Sequence, residues 1–156
     1  MKICFRLVVL ISCCACCFSC TKPAERPEVA VLDPASLVKG DTIHPFAFID
    51  PKNHDWHVVI RISGEDLVDV SHKLKTRMFS TTNTDLIKKI RKWKFIYYRQ
   101  GVTRASSTLR VFKDDELVET YGIILEKDWV GLQSKELGLI KSVRKDELLE
   151  IIREMD

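Results

Sequence analysis

No cysteine occurs after position 20; all six stand at positions 4, 13, 14, 16, 17 and 20. The remainder of the chain therefore holds no internal disulfide, thiolate metal centre or cysteine nucleophile. Glycine is also scarce, six residues in 156 with none clustered, which excludes a glycine-rich phosphate cradle. Neither a Gly-x-Ser-x-Gly nucleophile elbow nor a His-Glu-x-x-His zinc helix is present. Asn53 and Asn83 are the only asparagines, and neither begins an Asn-x-Ser/Thr glycosylation site. A large excess of charge of one sign is absent as well: 25 basic residues face 22 acidic ones, which removes any global electrostatic case for nucleic acid.

What is present begins at the N-terminus. Lys2 and Arg6 form a short basic head, and Leu7 to Phe18 form an apolar stretch. That stretch is well short of the roughly 20 residues a bilayer-spanning helix needs. Small Ser19, Cys20 and the polar Thr21-Lys22-Pro23 follow, giving the layout of a secretory signal peptide. Cys17-Phe18-Ser19-Cys20 resembles the bacterial lipobox, in which small or apolar residues precede a cysteine that is lipidated and becomes the new N-terminus. Phe18 departs from that pattern, and Leu10-Ile11-Ser12-Cys13 also fits it, so Cys13 is the alternative attachment point. Ordinary signal-peptidase cleavage after Ser19 would leave Cys20 as an odd thiol in an oxidising compartment, a difficulty that lipidation removes. The resemblance implies export and anchoring in the cell envelope, facing periplasm or exterior. Removing Lys2 and Arg6 with the signal leaves 23 basic against 22 acidic residues.

Residues 20–40, with Pro23, Pro27 and Pro34, read as an extended tether. Residues 41–156 read as a single small domain large enough to bury its own core. His57 to Ser63 is β-branched and strand-like. Ser63 and Asp66 resemble a capping box, with Leu67, Val70, Leu74 and Met78 on one face of a following helix; the alternative is a hairpin turning at Gly64, since Val68, Val70, His72 and Leu74 also alternate. Thr81 to Thr84 supplies N-cap residues for a second helix carrying Leu86, Ile87, Ile90 and Trp93. Phe95 to Arg99 reads as a strand. Leu109–Phe112 and Leu117 to Leu125 form a hairpin about the acidic turn Asp114-Asp115-Glu116, and Trp129–Leu132 and Leu139–Val143 are two further strands. A closing helix from about Lys145 carries Leu148, Leu149, Ile152 and Met155. The expected fold class is α+β, an antiparallel sheet with two or three helices packed on one face.

Candidate chemistry is sparse. His54 and His57, with Asp50 and Asp55 nearby, are weak metal-ligand candidates; a third rigid ligand is lacking, so no metal and no cofactor is expected. Lys88, Lys89, Arg91, Lys92 and Lys94 surround buried-type Ile90 and Trp93, giving a solvated basic face suited to docking on an anionic lipid or an acidic partner. Tyr97, Tyr98 and Trp129 could stack on a ligand, although alternation sends one of each adjacent pair into the core. Taken together, these features point to a non-enzymatic binding, inhibitor or adaptor module, attached to a membrane through its N-terminal lipid and engaging an unknown protein. The alternative is a small envelope hydrolase or metal-dependent enzyme using His54 and His57. Replacing Cys20→Ser is expected to block processing or release the protein into the soluble fraction, read by membrane fractionation. If Cys13→Ser does so instead, the attachment point is Cys13.

Overall fold

The structure, a computed structural model, describes residues 33–63, 66, 77–99, 101, 104–126 and 128–155. Its frame is one eight-stranded antiparallel sheet: β1 (Thr42–Ile43), β2 (Trp56–Arg61), β3 (Met78–Thr81), β4 (Phe95–Arg99), β5 (Ser107–Lys113), β6 (Glu116–Glu126), β7 (Trp129–Ser134) and β8 (Gly138–Ser142). The strands lie in the order β1-β4-β8-β7-β6-β5-β2-β3. Among the described residues there are two α-helices, α1 (Thr84–Arg91) and α2 (Glu147–Met155), and a 3₁₀ turn at Pro34–Ser36. The coarse expectation of a small α+β domain built on an antiparallel sheet therefore holds.

Period-two alternation decides which side chains are buried. Ser107, Ile123, Leu132, Ile140 and Tyr97 pair successively across five neighbouring strands, and all are buried. Ile60, Leu109 and Tyr121 form a second buried row beside them. Leu148, Ile151 and Ile152 of α2, together with Ile87 and Ile90 of α1, belong to the same core cluster as these strand residues. The loop between β1 and β2 adds Phe46 and Ile49, both fully buried.

Local chemistry fixes the element ends. The Asn83 side chain accepts from the Asp85 and Leu86 N–H groups at 2.9 and 3.3 Å, satisfying two donors at the start of α1. Asp85 in the first turn and Lys88, Lys89 and Arg91 in the last complement the helix dipole. Asp114 and Asp115 turn the β5–β6 hairpin with positive φ of 50° and 66°, the geometry that two-residue hairpins favour. Half of the capping geometry at Ser63 is present: the Asp66 N–H donates to Ser63 Oγ at 3.3 Å and that hydroxyl donates to Asp66 Oδ2 at 3.1 Å, whereas the Ser63 N–H donates to Ser107 Oγ.

Two details differ from the sequence reading. Met78 is not on a helix; it opens β3 and is 65% exposed, because β3 pairs with β2 and presents Phe79 and Thr81 inward. Leu67, Val70 and Leu74 of that expected helix lie outside the described residues. In α2, Ile151 replaces Leu149 on the buried face, since the helix starts at Glu147 and its stripe is set by Leu148 and Ile152.

Gly131 is a point of close approach. A Cβ there would lie 2.2 Å from the Ile140 carbonyl oxygen and 2.7 Å from the Trp129 ring. The carbonyl belongs to a paired strand and cannot swing aside. Gly131→Ala is therefore expected to lower stability by about 3 kcal/mol or more, the upper range for overpacking. Asn83→Ala should lose about 1 kcal/mol, as for a lost N-cap. Urea denaturation of both variants checks the ranking.

Candidate functional site

The loop entering β2 is built around Asp50. Its carboxylate accepts from the Lys52 N–H at 3.2 Å and from the Asn53 side chain, and its carbonyl accepts from the Trp56 indole at 2.8 Å. These bonds hold the Asp50 carboxyl below its ordinary range, with the Lys52 amide as the largest cause. The same loop is latched to the β5–β6 turn. Asp114 N–H donates to Asp55 O at 2.8 Å, Asp55 N–H donates to Asp114 Oδ1 at 3.1 Å, and His54 Nδ1 lies 3.0 Å from Asp114 Oδ2. Asp114 is thereby lowered as well, first by the Asp55 amide and then by His54.

The latch closes one wall of a cleft of about 270 Å³, lined in part by His54, Asp55, His57, Thr82, Thr84 and Asp115. The structure thus brings both candidate histidines to one cavity. Their environments differ: His54 is held edge-on to Trp56, and His57 stacks on Phe112 with ring centroids 5.5 Å apart. Among the described residues, no group of three or more His, Cys, Asp or Glu is placed to hold a metal ion. The chemistry available here is hydrogen bonding and proton exchange at one oriented imidazole, with threonine hydroxyls nearby.

A second feature lies on the opposite side of the sheet from the buried rows. Gly131 leaves room for the Trp129 indole to lie over the strand. Tyr98 packs edge-on against Trp129 at 6.4 Å, and the Lys39 ammonium sits 4.6 Å from the Tyr98 ring centre, within cation–π range. With Ile124 and Leu139 as its floor and Arg99 and Glu126 at its rim, this groove encloses about 190 Å³. Tyr98 is 39% exposed whereas Tyr97 is buried, as alternation requires. The basic residues take a third position. Lys88, Lys89, Arg91, Lys92 and Lys94 are all exposed, while Ile90 and Trp93 are buried. Lys88 pairs with Asp85 and Lys89 with Glu154. Cys20 and Cys13 lie outside the described residues.

Sequence reasoning did not assemble the groove, because Tyr98, Ile124, Trp129 and Leu139 come from four strands. It also missed a buried serine: Ser107 Oγ accepts from the Ser63 N–H at 2.9 Å and donates to Asp66, tying β5 to the capping turn. A glycine two residues after a tryptophan in a strand is the one local hint of the groove. Comparison with protein-family models, curated proteins and solved structures gives no match.

Two carboxylates should move stability with pH in opposite directions. Asp114 is depressed from its ordinary 3.8, so its contribution is present above that pH and is lost as pH falls below it. Glu119 is raised from 4.5, first by burial and then, against the Thr120 amide, by Glu136. Its folded state therefore favours the neutral acid, and the stability this gives is present below pH 4.5 and lost as pH rises through the raised value. Glu119→Gln is expected to raise the Tm at pH 7 and leave it unchanged near pH 4. Asp114→Asn is expected to lower it at pH 7, with the difference shrinking in acid. Thermal melts across that range check both signs.

Proposed function

We propose that this chain is a lipid-anchored, non-enzymatic binding module of the cell envelope, exported by residues 1–19 and attached through Cys20. Within the domain, both helices would pack on one face of the sheet, and the shared core cluster supports that arrangement. The opposite face carries the exposed Tyr98. The observation that carries the reading is the groove between Tyr98 and Trp129. Aromatic side chains over an apolar floor, rimmed by charge, are the composition of a binding hot spot. Lys39 and Arg99 at the edge, against a single Glu126, favour a protein segment that offers an apolar side chain next to an acidic one.

The competing reading, a small hydrolase using His54 and His57, has one observation in its favour: Asp114 fixes the His54 ring toward a cleft, as an orienting carboxylate does for a general base. The two readings separate by mutation. Under the binding reading, Trp129→Ala should weaken retention of the envelope partner by about 30-fold, a hot-spot-sized loss of roughly 2 kcal/mol, while His54→Ala leaves retention intact. Pull-down of the anchored protein from its own envelope, with circular dichroism as a folding control, measures this. Partner capture that survives Trp129→Ala and fails in His54→Ala would move the site to the cleft.

A further inference from the structure

Positive charge is concentrated at one end of the domain. Lys94 lies beside β8, since the Val143 N–H donates to the Lys94 carbonyl at 3.1 Å and Ile96 pairs with Lys141. The last turn of α1 therefore meets the end of β8. Segments 85–94 and 141–145 together carry eight basic side chains and one acidic one, whereas the rest of the chain carries 17 basic and 21 acidic. Glu154 and Glu150 engage Lys89 and Arg144 from α2. Among the described residues, Arg91, Lys92, Lys94 and Lys141 form no ion pair, and all four are exposed. Val143, 51% exposed, stands among them.

We propose that this basic end is a second membrane contact, which lies on anionic phospholipid headgroups of the bilayer that holds the N-terminal lipid. The inference rests on the anchored reading above. Three observations favour a bilayer over an acidic protein. Lysine predominates, and its compact flexible ammonium suits a diffuse anionic surface better than forked recognition of one carboxylate. The charges come from a helix end and two strand ends and spread over a surface, with Val143 available to enter the headgroup layer. The lipid supplies the first attachment signal, and stable anchoring takes two. Geometry permits the contact. The described chain enters the sheet near Tyr97, which lies about 10 Å along β4 from Lys94. The 13 residues from Cys20 to Asp33 reach up to about 43 Å when extended. The docked domain would then rest on its basic end, with the Tyr98 end of β4 directed away from the bilayer.

The test uses the lipidated protein reconstituted in vesicles of phosphatidylcholine alone or with 30% phosphatidylglycerol, treated with an amine-acetylating reagent and read by mass spectrometry. Acetylation of Lys92, Lys94 and Lys141 is expected to fall about fivefold in the anionic vesicles, the factor equivalent to the usual contribution of one basic residue at a charged surface. Lys52, Lys113 and Lys135 should be unchanged, and 0.5 M salt should abolish the difference. In the Lys92→Glu/Lys94→Glu/Lys141→Glu variant, protection at Lys88 should also disappear; the corresponding glutamine variant gives the same result if reversal perturbs folding. Equal acetylation in both vesicle types overturns the proposal. So does protection that occurs in native membranes but not in anionic vesicles, which would assign the surface to an acidic protein. Flotation with phosphatidylcholine vesicles reports the anchor separately, so loss of flotation refutes the lipidation without deciding the basic contact.

Discussion

The inner side of the sheet converges on the ring of Phe46. It packs against Phe95 of β4 at 6.3 Å and Tyr121 of β6 at 5.1 Å, with Trp93 at 5.7 Å. Yet β4 and β6 are not neighbours, because β8 and β7 lie between them. Three strand spacings in a flat sheet would separate them by roughly 14 Å. One ring in contact with both side chains therefore bridges the two intervening strands from the inner side of the sheet. The Tyr121 hydroxyl donates to the Pro45 carbonyl at 3.3 Å and fixes the loop that delivers the ring. Burial lifts the Tyr121 pKa far above its usual value, so this donor keeps its proton throughout the physiological range.

With the inner side filled by apolar side chains, polar chemistry is left to the rim and the outer side. The His54–Asp114 latch sits at the turn of the β5–β6 hairpin, beyond the end of β3, whose pairing with β2 stops at Val58. The aromatic groove uses the outer side of β4, β6, β7 and β8, where Gly131 leaves room for the Trp129 ring beside Leu139. The lysine-rich end occupies a third place. The groove is separate from the core because each strand offers alternate residues to opposite sides.

Much of the frame was legible from local signals. Strand β4 is legible with its observed bounds because four β-favouring residues, Phe95 to Tyr98, sit between Lys94 and Arg99. The hairpin was legible from paired aspartates between alternating runs, and α1 from Asn83 and the Leu86, Ile87, Ile90 stripe. The loop carrying Phe46 and Ile49 was not read as core, since it has neither period of two nor of 3.6. Met78 was assigned to a helical face because its spacing from Leu74 suits one, and only the pairing of Arg61 with Met78 shows otherwise. The basic residues were legible as a solvated face, but their conjunction with Lys141 depends on the register of β4 against β8. His54 was picked out for its neighbour His57, whereas its actual partner Asp114 is 60 residues away.

The sheet order also governs when the fold can close. Phe95 must find Ser142 and Tyr97 must find Ile140, so β4 has no central neighbour until nearly all of the domain exists. Phe46 likewise waits for Tyr121. Pairings this distant in sequence place the chain among slow, high-contact-order folders, since the entropy of long loops is spent before the contacts that offset it form. For a polypeptide that crosses a membrane as an extended strand, as the proposed export route entails, that delay has a use. Premature compaction on the synthesis side is disfavoured by topology alone, and the chain stays threadable until its last strands arrive.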